Sequence, residues 1–218
     1  DNIDALPSPS TEPAAYSILA YPGLETLHFH INQAEFSVGD FELNYRMHLR
    51  AGRAIKAVLE GNVPPPVRNE AAYRLARLHF QKDQPADAMT ALARIDGKVP
   101  EPIRDDLAFL RGNVYVAVGR FGDAAGIFKG LQGAKGYEGF ASFNLGIAEL
   151  RGGEEKDGYL SLARAGQTSA ADPAALAIKD KANLVLGSRL LEAKKPELAR
   201  QYLERVRISG PFSASALL

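Results

Sequence analysis

The chain has no cysteine and no tryptophan among its 218 residues, and only two methionines. Without cysteine there can be no disulfide, no thiolate nucleophile and no cysteine-based zinc site, and either redox compartment suits the chain. No apolar run approaches the ~20 residues that a membrane-spanning helix needs. Hydrophobic side chains still make up 46% of the sequence, enough to bury a core unaided. The formal net charge is zero and the pI is near 7.1, which argues against bulk attraction to nucleic acid or anionic lipid. Catalytic motifs are missing too. There is no glycine-rich phosphate loop, no H-E-x-x-H, no G-x-S-x-G and no acid pair in a setting that would tune it as acid and base. His28 and His30 would face the same way on a strand, but no third metal ligand lies near, and His48 and His79 fall in other elements. These read as solvated or partly buried histidines. Glu154 and Glu155 at a helix start need only the helix dipole to explain them. The expectation is a chain that is not an enzyme and holds no metal and no cofactor.

What the sequence does have is a repeated spacing. Ala76 and Ala88, Gly112 and Ala124, and Gly187 and Ala199 are pairs of small residues, each twelve residues apart. A small residue at both sites lets two antiparallel helices approach backbone to backbone, so a fixed offset marks one helical hairpin. The steps from Ala76 to Gly112, Gly146 and Gly187 are 36, 34 and 41 residues.

That period, with Tyr115, Gly119, Phe121, Ala124 and Phe128 following Gly112, resembles the tetratricopeptide pattern G-x-x-Y…A-x-x-x-F. Leu186, Gly187, Ala199, Leu203 and Pro211 form a similar unit, as do Leu75, Ala76, Ala88, Leu92 and Pro100. The unit of Leu145 and Gly146 carries Gly158 in the alanine slot and Leu162 after it. The pattern's tryptophan is absent throughout. The resemblance covers about four units over 69–211 and implies an all-α fold, a right-handed superhelix (α-solenoid) of antiparallel helix pairs, with a less regular N-terminal segment.

Helices are expected at 66–82, 85–96, 101–118, 121–132, 138–152, 154–165, 173–194 and 196–208. Asp172 before Pro173 is an N-cap followed by proline at the first helical position, and Pro85 and Pro196 start second helices in the same way. Seven extra residues before Asp172 read as a tolerated surface insertion, with a recognition loop as the alternative.

The organisation read from the sequence has four parts. Residues 1–24 form a flexible acidic arm with a proline- and serine-rich opening. Residues 1–40 hold Asp1, Asp4, Glu12, Glu25, Glu35 and Asp40 and no lysine or arginine, whereas 41–82 hold eight basic residues against three acidic ones. Residues 25–65 form a degenerate N-terminal cap, read as helical. Leu27, Ile31, Ala34 and Val38 fit one helical face, but the alternation of Leu27, Phe29 and Ile31 leaves a β-hairpin over 25–50 open. The array proper spans 66–211, and 212–218 read as the start of a further, truncated helix. Because the chain begins at Asp1, with no initiator methionine, a processed or engineered product is expected. Its polar opening and lack of cysteine suggest a bacterial periplasmic protein, with the cytoplasm as the alternative.

In the tetratricopeptide family, first helices of successive units line a concave groove. Carried over by position, the groove here would hold Tyr73, Arg77 and Phe80, then Phe109, Asn113 and Val116. Phe143, Ile147 and Leu150 would follow, then Leu184, Ser188 and Leu191. Of the carboxylate-clamping residues in chaperone-binding members only Asn113 has a counterpart, so apolar anchors point instead to a hydrophobic peptide or amphipathic helix. Each aromatic could equally pack against its neighbouring unit. Arg46, Arg50, Arg53 and Lys56 would share one helical face, a basic stripe that reads first as solvated and second as a grip for an acidic segment.

The function expected is a non-catalytic protein–protein scaffold within an envelope assembly, transport or secretion complex. The alternative is an accessory tetratricopeptide domain of a larger protein. A protein or peptide partner is expected, with no nucleic acid and no membrane insertion.

Overall fold

The computed structural model describes residues 48–169 and 172–217, and every regular element among them is helical. In chain order these are α1 (His48–Glu60), α2 (Pro65–Gln81), α3 (Pro85–Leu92), a 3₁₀ turn (Glu101–Ile103) and α4 (Arg104–Ala117). α5 (Phe121–Leu131), α6 (Glu138–Arg151), α7 (Glu155–Gln167), α8 (Pro173–Glu192), α9 (Pro196–Leu203) and α10 (Ser213–Leu217) follow. The chain divides into two compact units between Arg104 and Asp105. The acidic arm and most of the cap lie outside the described residues, but the part of 25–65 that is described, α1, is a helix.

Four helix pairs repeat in backbone detail. Asp83, Gly119, Gly153 and Lys194 end α2, α4, α6 and α8 in the left-handed region, at φ of 57°, 81°, 88° and 57°. The next residue of each turn then donates its N–H five residues back. Gln84 reaches the His79 carbonyl at 2.9 Å, and Arg120 reaches Tyr115, Glu154 reaches Glu149 and Lys195 reaches Leu190, each at 2.8 Å. This bond pattern stops a helix by satisfying its last carbonyls and turns the chain sharply enough to start an antiparallel partner. Pro85 and Pro196 then begin α3 and α9 at no cost, since the first-turn N–H groups have no intrahelical acceptor. Asp172 caps α8 as expected, accepting from the Ala175 N–H at 2.9 Å.

The small residues sit where the helices cross. A Cβ at Gly112 would fall 2.6 Å from the Phe128 ring, and one at Gly146 would fall 2.7 Å from Leu162 Cγ and 2.9 Å from the Gly158 carbonyl oxygen. Ala88, Ala124 and Ala199 are fully buried on the opposing helices. Four residues after each small residue comes the side chain that fills the pair: Leu92, Phe128, Leu162 and Leu203. Helix α1 follows the same rule, with Ala51, Ile55 and Val58 buried on one stripe. It packs on α2.

Two second helices are shorter than the sequence suggests. The spacing predicts helices over 85–96 and 196–208, but α3 ends at Leu92 and α9 at Leu203. Both times a buried polar residue at the start of the first helix captures the chain 27 residues on. Asn69 Nδ2 donates to the Asp96 carbonyl at 2.6 Å and its Oδ1 accepts the Asp96 N–H at 3.1 Å. Asp180 accepts from the Arg207 N–H at 3.3 Å and from Nε at 2.9 Å. These bonds replace helical ones, so the chain leaves the helix without stranding backbone groups.

Candidate functional site

In the second unit the first helices α4, α6 and α8 form one face. α6 packs against α8 directly. Between α4 and α6 the link is polar: Asn144 Nδ2 donates to Asn113 Oδ1 at 2.8 Å. An amide pair joined by one bond keeps further capacity, the two N–H groups of Asn113 and the carbonyl oxygen of Asn144. Both residues are half-buried, so this capacity lies at the surface of the face.

The residues expected on the first-helix face divide by burial. Phe109 is half-buried, meeting Phe128 edge-on with centroids 5.8 Å apart and Tyr137 at 5.1 Å. Tyr137 in turn donates its hydroxyl to Asp106. Val116, Ile147, Leu150 and Leu184 are half-buried, and Ser188 and Leu191 are exposed. Phe143 is different. At 6% exposure it packs with Leu162, Ala165, Ala182 and Leu186, and Lys181 Nζ stands 5.2 Å from its ring centroid. It supports the face from beneath.

In the first unit the same positions hold Tyr73, Arg77 and Phe80. Tyr73 is buried at 5% exposure beneath the Arg74 guanidinium, 5.5 Å from its ring centroid. Arg77 and Phe80 are half-buried. Of the basic stripe, Arg53 and Lys56 are exposed on α1, opposite Ala51, Ile55 and Val58. Arg46 lies outside the described residues, and Arg50 is placed only as backbone of α1.

Charged groups elsewhere serve local structure. Arg120, in the turn before α5, and Arg200, on α9, are exposed and have their pKa raised by hydrogen bonds to Asp123 and Glu204. Among the described residues no three His, Asp or Glu side chains gather as a metal site would require. No described helix is long and apolar enough to cross a membrane. His28 and His30 lie outside the described residues.

Comparison with known proteins agrees with this repeat geometry. A family model described as tetratricopeptide repeat matches residues 48–101, from the first residue of α1 through α2 and α3. The chain carries tetratricopeptide repeats. Among solved structures, MamA of Desulfovibrio magneticus RS-1, from residue 41 to its end, is similar at a TM-score of 0.61 and 15% identity. The match covers 82% of this chain and 94% of that one, and it is a likeness of fold, that of a helical solenoid. No curated protein matches the chain in sequence. The tetratricopeptide match thus begins at α1, whose Ala51 is buried.

Sequence reading missed Asn144 and Asn69. Asn144 lies one place off the three groove positions carried over from the family, and it counts only because Asn113 stands within reach on the neighbouring helix. Asn69 looks like any polar residue in a helix's first turns. Its signal would have been the same offset of 27 that separates Asp180 from Arg207.

Proposed function

We propose that this tetratricopeptide array is a non-catalytic interaction scaffold that holds a partner's extended peptide or amphipathic helix on the face of α4, α6 and α8. The observation that carries this reading is the Asn113–Asn144 pair, with donors and an acceptor to spare, on helices that also carry the half-buried Phe109, Val116, Ile147 and Leu184. A peptide backbone presents a donor and an acceptor side by side, and its apolar side chains need partly buried apolar neighbours. Lys181 is the one basic group placed on the face by the contacts above, so a partner held by its hydrophobic side chains fits better than a carboxylate terminus.

Tetratricopeptide repeats are protein-interaction modules, and the partner reading narrows this to one face. The test is retention of partners from source-cell extract by the immobilised chain and by Asn113→Ala/Asn144→Ala/Ile147→Glu with a matched cooperative melt. Loss of a partner by the variant supports the face; equal retention moves binding elsewhere. The periplasmic setting and the role in an envelope complex belong to the same proposal and rest on the proline-rich, cysteine-free opening. A reporter fusion active only after export tests them.

A further inference from the structure

Across the second unit one helical position carries an acid, an aromatic ring and a base in turn. Asp106, Phe140 and Lys181 each stand six residues before the glycine of their helix, Gly112, Gly146 and Gly187, so they hold the same place on α4, α6 and α8. Asp106 and Lys181 are exposed, and Phe140 is half-buried. Both charges are anchored at the start of α6. Asp106 Oδ1 accepts the hydroxyl of Tyr137, the residue that precedes α6, and Lys181 Nζ lies 5.2 Å from the ring centroid of Phe143. α6 packs on α8 and is joined to α4 by the asparagine bond, so the acid and the base flank it.

Neither charge is used up within the chain. Among the described residues Asp106 Oδ2 accepts no hydrogen bond, and Lys181 has no ion pair. The helix dipole accounts for an acid in the first turn of α4, as at Asp105. It has no bearing on Lys181, which lies more than two turns into α8. Neighbouring helices lie roughly 10 Å apart, so about 20 Å separate the acid from the base. Phe140 lies between them, with Asn144 one turn further along α6. An extended chain rises about 3.3 Å per residue and spans that distance in about six residues.

We propose that this row fixes the direction and the charge order of the partner segment, which rests on the reading of the α4, α6 and α8 face as the interaction surface. The segment fits when a basic side chain reaches Asp106, an apolar one lies on Phe140, and an acidic one, about six residues from the base, reaches Lys181. Turned end for end, the same segment brings like charges together at both ends. Such repulsion discriminates between partners more strongly than exposed ion pairs add affinity. The partner is therefore an extended segment of mixed charge around an apolar centre, and not a uniformly acidic or basic one.

Phage display of random peptides, each about twice that span, on the immobilised full chain tests this. Wild type is compared with Asp106→Lys/Lys181→Glu and with Asn113→Ala/Asn144→Ala/Ile147→Glu, all with matched melts. Wild type should enrich apolar peptides whose base and acid stand about six residues apart in one fixed order, and the charge-swapped variant should enrich the opposite order. A synthetic peptide of the first order should bind wild type about tenfold more tightly than its charge-reversed counterpart, a preference that inverts on the swapped variant and shrinks at high salt. Lys181→Glu alone leaves the Asp106–Tyr137 bond in place and should lose only the preference for the acid. A pool without charge order, or an order that the swap leaves unchanged, overturns the proposal while the face reading stands. Equal binding by the asparagine variant, or no enrichment at all, overturns the face reading and the proposal with it.

Discussion

Asp180, 1% exposed at the second turn of α8, holds Arg207 by its backbone N–H at 3.3 Å, by Nε at 2.9 Å and by Nη2 at 2.8 Å. One carboxylate thus fixes where α9 ends and where the chain runs next. Gly210 completes the arrangement, since a Cβ there would lie 2.5 Å from Asp180 Oδ2. Replacing Asp180 by alanine removes the acceptor of a part-buried backbone N–H and of the Arg207 guanidinium and should cost about 1–3 kcal/mol. Asp180→Asn keeps the acceptor, as Asn69 does in the first unit, and should cost less than half as much. Urea midpoints at constant m-value check both.

The glycines at the crossings are not equivalent. At Gly112 an added methyl meets a side chain, the Phe128 ring, whereas at Gly146 it also meets the Gly158 carbonyl oxygen at 2.9 Å and the Leu162 backbone nitrogen at 3.0 Å. Backbone cannot step aside as a side chain can. Gly146→Ala should destabilise by about 2–3 kcal/mol in spite of alanine's better helix propensity. A partner change of Leu162→Ala should not rescue it, whereas Phe128→Leu should recover part of the loss in Gly112→Ala. Thermal melts of the four variants separate the cases.

Lys194 carries a side chain at φ 57°, where the equivalent turns at Gly119 and Gly153 use glycine at 81° and 88°. Lys194→Gly should therefore raise stability by roughly 0.5–1 kcal/mol, and Gly153→Ala should lower it by about 1–2 kcal/mol. Opposite shifts in melting temperature are the expected outcome. Shifts of the same sign would mean that the lysine side chain contributes more than its backbone strain costs.

The pairs Gly112–Ala124 and Gly187–Ala199 were legible because helix crossings that close admit almost no other residue types. Proline at the start of α3, α8 and α9 was legible for a similar reason, since few other places in a helix accept it. The ends of α3 and α9 were not, because Leu92 and Leu203 continue into sequence that is itself compatible with helix. What ends those helices is a hydrogen bond from a residue 27 positions earlier, and local pattern carries no trace of that. α1 had a signal in the same spacing, with Gly39 twelve residues before Ala51 and Ala51 37 residues before Ala88, a step within the range of the others. For the site, helical period identified which side of α4, α6 and α8 to consider. It did not tell that Tyr73 and Phe143 lie under their neighbours, since burial depends on the width of the helix beside them.

The interaction face itself is tested most directly by site-specific photo-cross-linking. A photoreactive phenylalanine analogue at Ile147, on α6 beside the asparagine pair, is compared with one at Leu160, 56% exposed on the second helix α7. The account predicts a partner adduct from position 147 that disappears with Asn113→Ala/Asn144→Ala, and none from position 160. An adduct from position 160 with none from 147 would contradict it.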